Sequence, residues 1–419
     1  MSSHSSALVP LETWAFSGPD LYVQGRGIDI GLFAEALIYY DTVYVVPGNA
    51  HCFSLFLKWF EAQGRLDLFR DLVEDGAIKI YDYSFITAAV ETDGTYMIMN
   101  LQDEEQAKES VFSKRYLNNR ETRKVLPSKG RHRKRFIQAL RANIIEVKAD
   151  SFGSAVVDAE KDLVNPERSS LIIQALVDEL YSIQKIRKVP EIKATVKIDS
   201  MKGEHKIDWG INFTELSLIS GSDLGLNSGS PLTANAHSNR FIWSASSLGV
   251  DLYLPRPMSV LAGDKLFESA SKSQKLRATI ESLQEEVEFP SIRNLVNTGV
   301  LKLDDLIEIR RKALRFRKWL QQESSRDRNA ILAYHYELAQ DTGLVKFGRS
   351  SLRMFGILGS GALGGAIGGA FAGPVGGLVG GLAGSALNFT TELSSKIGSD
   401  WKPVVFGSWL DDRIKRLYK

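Results

Sequence analysis

Short apolar runs alternate with amphipathic stretches over the first hundred residues. Leu32 to Tyr40 is a compact apolar segment of helical character. Thr42 to Val46, TVYVV, is rich in β-branched residues and is closed by Pro47-Gly48, which predicts a strand and a turn. From His51 to Glu74, Phe53, Phe56, Leu57, Phe60, Leu66, Phe69 and Leu72 recur at helical spacing, with Gly64 as a break. Asp75-Gly76 ends that stretch and Ala77 to Phe85 returns as a strand. Strand, helix, strand in this order predicts a parallel unit with a crossover helix. Thr92-Asp93-Gly94-Thr95 reads as a hairpin turn.

Further along, Ile144 to Lys148 has strand character and Ser169 to Ile186 helical character. Glu191 to Asp199 and Glu204 to Phe213 read as a hairpin around Lys202-Gly203. Ser220 to Ser230 is rich in glycine and serine and marks a loop or boundary. Helical patterns follow at 232–248, 264–288, 303–323 and 326–340, punctuated by Pro255, Pro257 and Pro290. In 303–323, Leu306, Ile309, Ala313, Phe316 and Leu320 form one seam, and Arg310, Arg311, Lys312, Arg315, Arg317 and Lys318 cover much of the remainder. Two readings of that helix stand: a bundle helix with a charged outer face, or a basic amphipathic helix on anionic lipid.

The pattern changes most sharply between Met354 and Leu387. No charged residue stands between Arg353 and Glu392, and 13 of the chain's 35 glycines fall in this run. Gly361, Gly365, Gly369, Gly373, Gly377 and Gly381 recur every fourth residue, beside a second register of Gly364, Gly368, Gly376, Gly380 and Gly384. Small residues at this spacing let helix backbones approach closely, which suits packing in lipid. Gly373-Pro374 divides the run into arms of about 28 Å and about 22 Å if helical, against a hydrocarbon core of about 30 Å. Its few large apolar residues favour insertion weakly, so a packed hairpin or oligomer is expected rather than a lone span. Basic and aromatic residues flank it: Arg349 and Arg353 before, then Trp401, Trp409, Arg413 and Arg416. Cations on both sides place both ends on the cytoplasmic side. A hairpin buried inside a soluble protein is the competing reading.

Composition narrows the classes. A formal charge of +2, with 52 basic and 50 acidic side chains, gives no global field for nucleic acid. The exception is local. Eleven Lys or Arg residues face one acid, Glu121, between Lys114 and Arg141. The densest part holds Arg131, Arg133, Lys134 and Arg135, an anionic-partner contact or a solvated loop and helix face. Nucleic acid is the weaker partner, because no aromatic residue interleaves that part. One cysteine, Cys52, excludes an intrachain disulfide, and Met1 to Pro10 has no signal-peptide pattern.

Candidate chemistry is sparse. No catalytic constellation, cofactor motif or metal-ligand spacing emerges. Gly359, Gly361 and Gly364 match G-x-G-x-x-G formally, but no following strand and no acid complete a dinucleotide site. Ser269 and Lys272 form S-x-x-K without companion motifs. Glu146-Val147-Lys148 and Glu191-Ile192-Lys193 have a nuclease-like E-x-K form without an upstream aspartate. The acidic trio Asp103, Glu104 and Glu105 reads as a helix start.

The glycine run resembles the glycine-zipper transmembrane hairpins of bacterial membrane proteins and pore-forming effectors. The body resembles bacterial proteins with a cytosolic body and a C-terminal glycine-rich tail. The resemblance implies a membrane-disrupting role in antiphage defence or toxicity, with the lipid bilayer and further copies of the chain as partners. The expected organisation is an α/β N-terminal domain (1–110), a mixed α/β segment with the basic stretch and β-hairpin (111–220), a mainly α-helical domain (221–345), a C-terminal glycine-zipper helical hairpin (346–392) and a basic, aromatic tail (393–419). The expected location is a cytoplasmic body held at the inner membrane by the hairpin. A non-lytic anchored scaffold and a soluble protein with a buried hairpin are the alternatives.

Overall fold

The computed structural model describes residues 6–12, 27–82, 86–90, 93–100, 116–128, 130–146, 153–183, 186, 188–201, 204–219, 222–223, 225–248, 250–254, 258, 260–262, 264–265, 292–297 and 299–314. The glycine hairpin, its basic and aromatic flanks, the acidic trio at 103–105 and the Ser269/Lys272 pair lie outside them. So do the predicted helix at 326–340 and most of that at 264–288.

Five parallel strands form the central sheet: β1 (Ser6–Pro10), β2 (Thr42–Val46), β3 (Ile78–Asp82), β6 (Ile144–Glu146) and β11 (Asp251–Leu252). Their order is β11-β1-β2-β3-β6. The α/β expectation for the N-terminal region is met, and the TVYVV strand has the predicted bounds. Helix α1 (Ile30–Tyr39) connects β1 to β2. The predicted 51–74 stretch is two helices, α2 (Ala50–Glu61) and α3 (Leu66–Glu74). Gly64 makes the break, with φ +65 and open space around it.

One face of the sheet presents Ala7, Val9, Val43, Val45, Ile78 and Ile80 to a single hydrophobic core. Phe33 of α1, Phe56 and Phe60 of α2 and Phe69 of α3 meet there edge-on, with ring centroids 4.8–6.3 Å apart for Phe33–Phe56 and Phe33–Phe60. Helices α4 (Arg120–Val125) and α5 (Arg131–Ala142) extend this layer through Val125, Phe136 and Leu140. The basic stretch, read above as loop plus helix face, is therefore largely helical. Leu8, which alternates with Ala7 and Val9, is also fully buried, as a parallel sheet covered on both faces requires.

A second, antiparallel sheet runs β4-β5-β8-β7, from β4 (Ile86–Val90), β5 (Thr95–Asn100), β7 (Lys197–Met201) and β8 (Glu204–Asp208). Both predicted hairpins are present. In the first, Asp93 Oδ1 accepts from Thr95 N at 3.0 Å and Gly94 has φ +89. In the second, strand pairing begins only at Lys197, so the expected strand from Glu191 is shorter at its start. Tyr96, Ile207 and Trp209 pack this sheet on helices α6 (Gly153–Leu163) and α7 (Pro166–Ile183) through Leu163, Ile172, Leu176 and Leu180. Short α8 (Phe213–Ser217) leads into the pair β9 (Leu218–Ile219) and β10 (Ser222–Asp223).

Helix α9 (Gly229–Leu248) packs on α6, α7, β1 and β11. The stretch expected to be mainly helical thus also supplies an edge strand of the central sheet. Two further helices, α10 (Ile292–Asn297) and α11 (Leu303–Lys312), close over α1. Leu306, Ile309 and Ala313, the predicted seam, are fully buried in the main core. Over its described length that face belongs to the protein interior rather than to lipid.

Candidate functional site

In open parallel sheets a ligand crevice lies beyond the carboxyl ends of the strands, where strand order reverses. Here that point falls between β1 and β11, because β2, β3 and β6 succeed β1 on one side and β11 flanks it on the other. The chain fills the position with its own polar groups. Asp29 follows β1 and is held there by its amide, which donates to Leu11 O at 2.9 Å. Its side chain caps α1, accepting from Leu32 N at 2.9 Å. Gly31 N donates to Asn297 Oδ1 at 2.8 Å. Two of the amides that would cradle a phosphate at this helix end are thus satisfied internally.

Around that cap lies a buried cluster of three carboxylates and one guanidinium. Arg293 of α10 bonds Asp29 Oδ2 through Nε at 2.6 Å and Nη2 at 2.5 Å. Glu179 of α7 stands 3.6 Å from Arg293. Glu35 of α1 accepts from the Tyr253 hydroxyl at 2.6 Å and is 1% exposed. Burial pushes the Glu35 carboxyl up to about 7, against the pull of Tyr253 and Arg293, and the charge of Asp29 adds to the rise. Tyr253 itself is held well above the ordinary phenol range, first by burial and then by the Glu35 charge, so its hydroxyl remains the donor. The approach of α10 to α1 is close: a Cβ on Gly31 would lie 2.1 Å from Arg293 O.

Beside β2, Asn49 Nδ2 donates to Glu12 Oε1 at 3.1 Å while Asn49 Oδ1 caps α2 at Cys52 N, 2.8 Å away. Gly48, at φ +77, allows Glu12 to approach: a Cβ there would meet Glu12 Oε2 at 2.4 Å. The Cys52 thiol is buried and burial raises its pKa far above the ordinary thiol range, so it stays protonated and inert.

A second ionic knot joins α6, α7 and α9. Asp162, 1% exposed, takes Lys265 at 2.7 Å and Arg168 at 2.7 Å. Asn239 Nδ2 donates to Asp162 at 2.8 Å, and Arg168 also reaches Asp264 at 2.9 Å. Asp158 of α6 adds its charge to the same two cations, so three acids share Lys265 and Arg168 in a fastener between helices. A groove of about 740 Å³ runs between α3 and α11, lined by Arg65, Asp67, Leu68, Asp71, Asp304, Ile307, Glu308, Arg311 and Lys312. Arg65 and Asp304 pair across it at 2.7 Å.

Of the residues named in the sequence for hairpin packing, its flanks or an anionic partner, the described ones are Arg131, Arg133, Lys134 and Arg135. All four stand on α5, and Arg135 bonds Glu74 at 2.7 and 3.0 Å. The E-x-K at Glu191 is an exposed surface ion pair, with Lys193 at 3.1 Å. Among the described residues no group of three or more His, Cys, Asp or Glu side chains is placed to hold a metal ion, and no helix is long and apolar enough to cross a membrane. The buried cluster escaped the sequence reading. Its one local signal is Glu35, the single charge within IGLFAEALIY. Arg293 is 264 residues from the Asp29 it pairs with, and nothing local announces that contact.

No family model, curated protein or solved structure matches the chain. The class that the structure defines is an α/β fold with a five-stranded parallel sheet and an accompanying antiparallel sheet.

Proposed function

We propose that this is a membrane-associated bacterial effector, of antiphage-defence or toxin type. Its glycine-zipper hairpin at 346–392 self-associates in the inner membrane and permeabilises it. The observation that carries the reading is the four-residue glycine repeat in an uncharged run from Met354 to Leu387. Thirteen glycines in a helix cost about 1 kcal/mol each relative to alanine unless close backbone packing compensates. Helix α11 is the last described helix before the run, and its apolar seam is buried in the core.

Replacing Gly365, Gly369 and Gly377 together with leucine in the full chain removes the packing face while keeping the run apolar. Cells expressing the wild-type chain are expected to depolarise, as read with a membrane-potential dye, and cells expressing the triple variant are not. Equal depolarisation by both chains would overturn permeabilisation through the glycine face. Stable membrane fractionation of the wild type without depolarisation would assign the hairpin to anchoring instead.

A further inference from the structure

Helices α4 and α5 carry a dense run of cations. From Arg120 to Arg141 the chain has nine Lys or Arg residues and one acid. Lys124 pairs with Glu121 at 2.8 Å, Arg135 pairs with Glu74 at 2.7 Å, and Arg123 donates to Asn118 Oδ1 at 3.1 Å. Arg131 and Lys134 are exposed and form no side-chain hydrogen bond or ion pair among the described residues. The placement follows from helix geometry. Phe136, Ala139 and Leu140 fix the core side of α5. At about 100° per residue, Arg131, Lys134, Gln138 and Arg141 fall on the opposite stripe, and all four are exposed. Arg123 and Lys124, also exposed, end α4 just before this helix begins.

We propose that this outer face of α5, with the end of α4, docks the body on an anionic bilayer surface through lipid phosphate groups. The choice of lipid rests on the membrane reading above; the cationic face itself does not. Arginine forks match phosphate oxygens two at a time, and each basic side chain close to an anionic leaflet favours binding about fivefold. Duplex nucleic acid fits less well. Such sites spread about 6–10 phosphate contacts along the duplex, whereas α5 is about 18 Å long with its densest cations in the first two turns. No Phe, Tyr or Trp stands between Gly130 and Arg135 for stacking single-stranded bases.

The test uses the full chain and its Arg131→Glu/Lys134→Glu variant. Initial association with phosphatidylglycerol-containing vesicles and with pure phosphatidylcholine vesicles is followed at low and high salt, by energy transfer from the protein's tryptophans to a labelled lipid. Wild-type association is expected to be fast only on anionic vesicles at low salt, and about tenfold slower for the variant. The variant should keep the wild-type melting temperature, because neither side chain has a partner to lose among the described residues. Rates independent of lipid charge, or unchanged by the substitution, overturn the proposal, as does stronger binding of duplex DNA than of vesicles in competition. A variant that melts lower is replaced by Arg131→Gln/Lys134→Gln, for which the same slowing is expected and an unchanged rate is equally decisive. Failure of the hairpin reading is separately visible: wild-type binding would then be wholly reversed by salt, with no fraction resistant to alkaline carbonate.

Discussion

Glu35 shares its buried surroundings with Asp29, Glu179, Tyr253 and a single cation, Arg293. Three carboxylates around one guanidinium leave excess negative charge when all are ionised, and burial makes that excess costly. The carboxyl ordinarily titrates near 4.5 and in the fold near about 7. Between those values the folded chain holds a proton that the unfolded chain has released. The stability contributed by this group is therefore full below about 4.5, declines as pH rises and is gone above about 7, a loss of about 3 kcal/mol. Glu35→Gln keeps the shape and removes the titration. The thermal midpoint of the wild type is expected to fall from about pH 5 to about pH 8. The variant should lose that part of the slope and be the more stable protein at the higher pH. Identical slopes in scanning calorimetry would exclude Glu35 as the titrating group.

At the scale of elements, α1 is gripped at both ends by helices more than 250 residues away in sequence. At its start, α10 lies so near that Gly31 is the only residue type that fits. Alanine in place of glycine within a helix ordinarily stabilises by about 1 kcal/mol, but here its Cβ would meet a backbone oxygen at 2.1 Å. Backbone cannot swing aside as a flexible side chain can, so the steric effect wins. Gly31→Ala is expected to destabilise by about 1–3 kcal/mol, seen as a lower urea midpoint; a raised midpoint would mean that α10 sits further off. At the other end, Arg310 of α11 donates to the carbonyls of Leu37, Tyr40 and Asp41. It thereby satisfies orphan acceptors and places a cation at the negative end of the helix dipole. Arg310→Met should cost about 1–3 kcal/mol by the same measurement, and no loss would show that water replaces the guanidinium freely. The seam of α11 was legible from its 3-4 spacing. Its occupant was not, because period reports that a face is covered and never by what.

For the whole molecule, the central sheet takes strands from Ser6–Pro10 to Asp251–Leu252, so the strands of the second sheet lie in sequence between two neighbours of the first. The Asp162–Lys265 knot fastens the later helices from within. Lys265→Met leaves Asp162 buried with Arg168 as its remaining cation, and should cost about 3–5 kcal/mol. Adding Asp162→Asn should recover part of that loss in a double-mutant cycle, because the uncompensated charge is then gone. Strictly additive losses would show that the two groups do not interact. The depolarisation expected of the glycine run is a property at this scale too, since it requires several chains to pack.

The sequence by itself determined local elements: the TVYVV strand, the break at Gly64, both hairpins, and the helices that contain Leu37, Phe56, Phe69, Leu176, Phe241 and Leu306. These depend on neighbours within a few residues, where backbone preference and face alternation are written directly in the chain. It also determined the uncharged glycine repeat, because a composition needs no fold to be read. Tertiary structure alone decided that β11 pairs with β1, that Arg293 reaches Asp29, and that α10 packs against the start of α1. Those contacts join residues hundreds of positions apart, and their energy comes from burial and charge shared among side chains that no local pattern links. The same holds for α5. Its cations were visible in the sequence, but that Arg135 is neutralised, while Arg131 and Lys134 have no acid beside them among the described residues, depended on where Glu74 arrives.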